Sequence, residues 1–155
     1  MKQIKTHINP AAANGNDKNT APVNPDACPP HASPTPQEIA DTLPHFTGTE
    51  HYYRFWFGIN YLTDGVKYLA DAAACYWLLD AIGSYQPELA THEDRRLHEI
   101  QFWKLKVNAD SSAVLTCEAD KGVPPAVTQQ IKWTNFPLPE VDIVSVRPTP
   151  LAIKC

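Results

Sequence analysis

The chain has 155 residues and a mass of 17.2 kDa, which is the size of one ordinary domain. Its formal net charge is −4 and no run of basic residues is longer than two, so direct nucleic-acid binding is disfavoured. The sequence holds no apolar run of 18 residues and no apolar stretch behind its charged start, which predicts no membrane contact, no secretory signal and a cytoplasmic location.

The N-terminal region differs in composition from the rest of the chain. Residues 1–40 contain seven of the 15 prolines and none of the aromatic residues, which all fall between Phe46 and Phe136. A segment with so little apolar surface cannot offset the chain entropy that is lost on ordering. The composition therefore predicts a disordered arm over residues 1–34, followed by a single domain over residues 35–155.

The first helical signal follows this arm. Residues 35–38, Thr-Pro-Gln-Glu, match a capping box with proline at the first helical position, which predicts a short helix ending near Leu43. The next segment, residues 46–61, contains seven aromatic residues. A strand, a loop and a helical turn all remain open for it.

The main helix is predicted over residues 66–82. Its apolar residues repeat at intervals of three and four, Thr63 or Asp64 can cap it, and Gly83 can end it. Charged residues on its other side, among them Lys67, predict a solvent-exposed charge ladder. A second, short and highly charged helix is predicted over residues 87–97.

From Ile100 onward the hydrophobic period changes to two, which is typical of strands. Residues 151–153 can form at most an edge strand, because the prolines before them cannot donate to a ladder. The order of elements predicts a two-layer α+β fold with one main helix on an antiparallel meander of about four strands. The strands are predicted over residues 100–107, 113–118, 127–133 and 141–146.

Five ordered segments resemble an uncharacterised bacterial, plasmid and phage family that is known only as a domain of unknown function. The resemblance covers residues 40–147 and implies a fold unit and a mobile-element setting, but no catalytic residues. Asn135 stands where the family pattern has Asp, so no acid acts there in this chain. The segments are Phe46-Thr-Gly-Thr-Glu50, Thr63-Asp-Gly-Val-Lys-Tyr-Leu-Ala70, Tyr76-Trp-Leu-Leu-Asp80, Phe102-Trp-Lys-Leu105 and Trp133-Thr-Asn-Phe-Pro-Leu138.

Cysteine and histidine spacings predict neither a metal site nor a cofactor. The cysteines are separated by 47, 42 and 38 residues, far from the spacing of zinc or redox motifs, and they are interpreted as thiols. Four of the six histidines form two pairs whose members are six residues apart, a spacing that does not match a helical zinc site. The cysteines are Cys28, Cys75, Cys117 and Cys155, and the histidine pairs are His45 with His51 and His92 with His98.

Asp64 and Asp80 are the candidate polar site. Asp80 lies three residues after Trp77, beside the apolar face of the predicted helix, where a carboxylate must be paired. The simplest interpretation of Asp80 is structural, with hydrogen bonds from the backbone or a tyrosine. The alternative is an enzyme whose site combines both acids with a histidine.

The dense aromatic segment is the candidate interaction surface. Most of its side chains are expected in the core, and the exposed ones would form a protein contact, since Tyr and Trp are favoured at interfaces. The sequence thus favours a non-enzymatic module that binds an unidentified protein and is encoded on a mobile element, with a role in counter-defence or plasmid maintenance. A third alternative is a weak nucleic-acid binder that uses Lys104, Lys106 and Lys132 on one sheet face. The candidate interaction residues are Tyr52, Tyr53, Phe55 and Trp56.

Overall fold

The structure is a computed structural model that describes residues 33–55 and 61–146 and the backbone of residues 151–153. The predicted N-terminal arm lies outside these residues except for its last two positions. The helices are α1 Pro36–Thr42, α2 Asp64–Ala72, α3 Tyr76–Ser84 and α4 Gln86–Leu89, with 3₁₀ turns at Leu43–His45 and Arg95–His98.

Seven strands form one sheet in the order β1-β2-β7-β6-β3-β4-β5. All neighbouring strands are antiparallel except β2 and β7, which are parallel. This architecture confirms the α+β prediction. The strands are β1 Tyr52–Arg54, β2 Tyr61–Thr63, β3 Ile100–Val107, β4 Ala113–Glu118, β5 Val127–Ile131, β6 Glu140–Val146 and β7 Leu151–Ile153.

The capping box at the start of α1 is present as predicted. Thr35 Oγ1 accepts a hydrogen bond from Glu38 N (3.3 Å), and Glu38 Oε2 accepts one from Thr35 N (2.7 Å). These two bonds satisfy backbone donors that an uncapped helix would leave without partners. Helix α1 then buries Ile39 against the core.

The prediction of a single main helix over residues 66–82 is wrong in one respect, because the chain forms two helices there, α2 and α3. Ala74 adopts a left-handed backbone with φ of 48°. Cys75 N donates to Ala70 O (3.0 Å) and Ala74 N donates to Asp71 O (3.4 Å), which is the Schellman pattern that ends a helix. Glycine usually occupies the left-handed position at a helix end. Because alanine is a strong helix former, the sequence gives no signal for a break at Ala74.

The predicted hairpin is confirmed, and it supplies the centre of the core. Strand β3 pairs with β4 on one side and β6 on the other, with Trp103 opposite Cys117. Alternate residues of these strands are buried, and apolar side chains of α2 and α3 join the same cluster on that face. The helices therefore cover one face of the sheet.

Three further expectations require correction. Strand β7 is not an edge strand, because it lies between β2 and β6. The predicted helix over residues 87–97 is replaced by α4 and the second 3₁₀ turn. Strand β5 ends at Ile131 and not at residue 133 as predicted, and Trp133 is 68% exposed.

Candidate functional site

The loop before β1 wraps around the carboxylate of Asp64. Asp64 Oδ2 accepts hydrogen bonds from Glu50 N (2.7 Å), His51 N (3.1 Å) and Thr49 Oγ1 (2.9 Å). Its Oδ1 accepts a hydrogen bond from Tyr53 OH (3.1 Å). Led by the two backbone donors, these bonds lower the pKa of Asp64 to about 2.

Two of the family segments meet at this point. Asp64 is the first residue of α2, and Thr63 before it makes no side-chain capping bond. The side chain of Asp64 turns back to the loop. Asp64 N donates to Thr49 Oγ1 (3.0 Å). A Cβ on the buried Gly65 would lie 3.0 Å from Phe46 Cβ, so glycine is what permits this close approach. The loop and the helix start therefore form one packed unit.

A shallow depression of about 560 Å³ is lined by residues 45–51 and Asp64. His51 Nδ1 lies 3.7 Å from Asp64 Oδ1. A carboxyl group with a pKa near 2 holds no proton near neutral pH, so Asp64 cannot act there as a general acid. Its donors also occupy both oxygens, which gives Asp64 the role of holding the loop in place.

The two acids of the candidate polar site do not line the same depression, because Asp80 is not among its lining residues. Asp80 lies half-buried on α3, and its Oδ1 is buried without a hydrogen-bond partner. The expected backbone or tyrosine donor to this oxygen is not found. The enzyme alternative, which combines both acids, therefore finds only one of them at this depression.

Within the described residues, no group of three or more His, Cys, Asp or Glu side chains could hold a metal ion. His98 Nε2 instead lies 2.9 Å from His92 O. Cys75 and Cys117 are fully buried, and burial raises the pKa of each thiol to about 12. Both thiols are therefore protonated near neutral pH and are poor nucleophiles. The other two cysteines lie outside the described residues.

A continuous row of contacts links β1 to the helices. Lys67 Nζ lies 5.7 Å from the centre of the Tyr53 ring and forms an ion pair with Asp71. Tyr76 OH donates to Asp71 Oδ1 (2.6 Å), and the Tyr76 ring stacks on Phe55 with centroids 6.3 Å apart. We call these five residues the tyrosine surface.

Two more tyrosines lie on the opposite face of the same strand pair. Tyr53 is opposite the buried Leu62 in register, so its neighbours in β1 point away from the helices. Tyr52 is 58% exposed there, and Tyr61 of β2 is 44% exposed. The predicted Trp56 lies outside the described residues. Tyrosines thus flank both faces of β1, which is an edge strand.

Hydrogen bonds and burial hold three titratable groups of this surface in their protonated forms. The hydrogen bond to Asp64 raises the pKa of Tyr53, and burial raises the pKa of Tyr76. The hydrogen bond to Asp71 raises the pKa of Lys67. All three groups therefore stay protonated near neutral pH, and none is a ready base.

A family model covers residues 37–151, which include both the loop around Asp64 and the tyrosine surface. The chain belongs to the family of unknown function DUF6876. This membership confirms the resemblance to an uncharacterised family. No curated protein and no solved structure matches the chain. The function of this DUF6876 protein therefore has to be argued from its own residues.

Two of the three lysines of the nucleic-acid alternative lie among acids, and Lys132 lies just beyond the end of β5. Lys104 and Lys106 share the outer face of β3, where they are opposite Asp142 and Glu140 of β6. Lys104 Nζ lies 3.4 Å from Asp142 Oδ1. Because each β3 lysine faces a carboxylate, this face lacks the uncompensated positive charge that phosphate binding needs. In the described part of the chain, no helix is long and apolar enough to cross a bilayer.

Proposed function

We propose that this chain is a non-enzymatic protein-binding module whose contact surface is the tyrosine surface together with Tyr52 and Tyr61. The observation that carries the proposal is where the exposed apolar side chains lie. Of the six large exposed hydrophobic residues described, four are tyrosines on β1, β2 and the start of α3. Tyrosine is enriched at protein interfaces and among the residues that dominate binding energy.

The tyrosine surface is also held in place before any partner arrives. Tyr53 is fixed through its hydroxyl by Asp64, and Tyr76 is fixed by Asp71 and by the stacked ring of Phe55. Ordering a side chain at an interface normally costs about 0.5–1.5 kcal/mol. Side chains that are already ordered avoid most of this cost, so the geometry supports recognition by a preformed surface.

The position of β1 indicates how a partner would approach. It pairs only with β2 in the described sheet, so its other edge is available for an added strand. Strand addition combines backbone hydrogen bonds with contacts from side chains on both faces of the sheet. The proposed partner is therefore a protein that presents an extended segment to β1, between Tyr53 on one face and Tyr52 on the other.

The same proposal includes where the gene lies, where the protein is located and which process its partner serves. The resemblance to plasmid and phage proteins is the support for a gene on a mobile element and for a partner in host defence or plasmid maintenance, and a cytoplasmic location is proposed with them. The genes that neighbour other members of the family test this setting. The proposed setting would be contradicted if the neighbouring genes throughout the family encode enzymes of ordinary chromosomal metabolism.

Photo-crosslinking in the source cells tests the contact surface directly. Tyr52→p-benzoylphenylalanine places a photo-reactive group at the edge of β1, and mass spectrometry identifies the captured protein. We expect the double variant Tyr53→Ala/Tyr76→Ala to reduce capture at least about tenfold, because truncation of interface aromatics commonly costs more than about 1.4 kcal/mol.

Ile100→Ala is the matched control, because Ile100 is also a large exposed apolar residue but lies on β3, outside the tyrosine surface. This variant should retain full capture. The proposal would be overturned if no single protein is captured in stoichiometric amount, or if both variants capture it equally well.

A further inference from the structure

The opposite edge of the sheet is formed by β5. It pairs with β4 through all five of its residues, and no described strand lies on its other side. Every second residue of an edge strand turns its N–H and C=O groups away from the sheet. Residues 127–131 have no backbone partner on that side in the described part of the chain.

This edge lacks the features that usually prevent strand pairing. Natural edge strands are blunted by proline, by charged residues or by being very short. Strand β5 reads Val-Thr-Gln-Gln-Ile and contains neither proline nor a charged residue. Strand β1 at the other edge has three residues and includes Arg54. The β5 edge is thus the longer of the two and the one without a charged residue.

A large apolar side chain stands beside this edge. Trp133 follows β5 by two residues and is 68% exposed, the highest value among the large hydrophobic residues described. Thr134 N donates to Ser111 O (2.8 Å), so the chain still runs beside the end of β4 at this point. Just before β5, Pro124 and Pro125 are also exposed. The edge is therefore flanked by tryptophan at one end and by two prolines at the other.

We propose that β5 pairs with β5 of a second copy of this chain, antiparallel about a two-fold axis at Gln129. The sequence of the strand is self-complementary in this register. Val127 is opposite Ile131 of the second copy, both β-branched, and Thr128 is opposite Gln130 of the second copy, both polar. Trp133 then lies beside Pro125 of the second copy, and symmetry makes each cross-copy contact twice.

Gln129 lies on the proposed two-fold axis. Its Oε1 is buried and has no hydrogen-bond partner within the chain. An unsatisfied buried polar atom is uncommon and carries a free-energy cost. The two-fold axis places the Gln129 side chains of both copies opposite each other, and a rotation of each side chain toward the axis would let the amide N–H of one donate to the oxygen of the other.

The charges at the junction are compatible with self-pairing. Like charges directly opposite each other destabilise a strand pair, and the chain as a whole carries −4. Because residues 127–131 are uncharged, the two copies meet where neither contributes a charged strand residue. The tyrosine surface lies at the other end of the sheet order, so this dimer does not depend on the function proposed above.

Sedimentation velocity of the full chain over a range of concentrations, up to about 1 mM, tests the proposal. We expect a monomer–dimer equilibrium in the micromolar range, which is typical of a small interface. Thr128→Lys brings a charge to the edge, and Trp133→Ala removes the flanking anchor. Each is expected to raise the dimer Kd at least about tenfold. Circular dichroism verifies that each variant is folded.

Thr116→Lys is the matched control, because Thr116 is opposite Thr128 in register but lies on β4, whose two edges are both paired. It should leave the dimer Kd unchanged. A chain that stays monomeric at about 1 mM overturns the proposal, as does a dimer that Thr128→Lys and Trp133→Ala leave intact. A larger polymer would indicate that β5 pairs with β1 of the next copy, and it would overturn the two-fold arrangement.

Discussion

Gln86 and Gln101 exchange reciprocal amide hydrogen bonds inside the core. Gln86 Nε2 donates to Gln101 Oε1 (2.9 Å), and Gln101 Nε2 donates to Gln86 Oε1 (3.2 Å). Gln101 also donates to Leu97 O (3.0 Å) and accepts from Trp103 Nε1 (3.1 Å). The four bonds satisfy the Gln101 amide completely and tie α4 to the central strand β3.

Replacement of one member of this pair should be costly. Gln101→Leu removes the hydrogen-bond partner of Trp103 Nε1 and of Leu97 O, and each unsatisfied buried group costs about 1–3 kcal/mol. We expect the free energy of unfolding to fall by at least about 2 kcal/mol in urea denaturation. The double variant Gln86→Leu/Gln101→Leu should cost less than the sum of the single variants, since both partners are then apolar. Additive costs would contradict a coupled pair.

Gly65 should not tolerate a side chain. The Cβ of Gly65→Ala would approach Phe46 Cβ to 3.0 Å, and neither atom lies at the flexible end of a side chain. We expect a loss of about 1–3 kcal/mol in the free energy of unfolding, as for other overpacked sites. Gly48→Ala is the control from the same loop, since nothing lies within 4 Å of its added Cβ. Equal stability of the two variants would disprove the close contact.

Asp64 should contribute to stability in a pH-dependent way. Its folded pKa of about 2 is lower than the unfolded value of about 4, so its contribution is complete above pH 4 and is lost as the pH falls toward 2. Asp64→Asn should destabilise the protein at pH 7 and weaken its pH dependence between pH 4 and 2. Thermal unfolding at several pH values measures this.

The acid sensitivity of the protein has a second expected source. The hydrogen bonds from Arg96 lower the pKa of Asp94 to about 2, with the same sign as for Asp64. Asp64→Asn alone should therefore leave part of the pH dependence in place, and Asp64→Asn/Asp94→Asn should reduce it further. A pH profile that is unchanged in Asp64→Asn would refute the role of the loop donors.

Ala74 should be better replaced by glycine. Its φ of 48° lies in the left-handed region, where an alanine pays a steric cost of about 1–2 kcal/mol that glycine avoids. The greater freedom of glycine in the unfolded chain offsets part of this gain. We expect Ala74→Gly to raise the free energy of unfolding by about 0.5–1 kcal/mol. Ala81→Gly inside α3 is the control, and it should lower that free energy by about 1 kcal/mol.

Local patterns account for the elements that sequence reasoning placed correctly. The capping box of α1 uses residues only three positions apart, and the β3–β4 hairpin combines period-two burial with a short connection. Interactions of this kind depend on nearest neighbours in the chain, so they can be read from the sequence. The break at Ala74 shows the limit, because the apolar pattern continues through a residue whose backbone leaves the helix.

Sequence reasoning named only part of the surface that is proposed above. Tyr52, Tyr53 and Phe55 were predicted as interaction residues, whereas Tyr61, Tyr76 and the Lys67–Asp71 pair between the rings were not. Tyr76 is 23 residues from Tyr53 in the sequence, so no periodic pattern relates the two. Tyr53 and Tyr76 belong to one surface only because α2 and α3 pack near β1.

By itself, the sequence determined the composition, the hydrophobic alternation of the hairpin and the α+β class, because each follows from residue types or from contacts between near neighbours. Tertiary structure alone decided that Asp64 would anchor a loop 14 residues earlier and that β7 would lie inside the sheet. It also left Trp133 in solvent. These outcomes depend on which distant segments pack together, and that choice is made by the free energy of the whole fold.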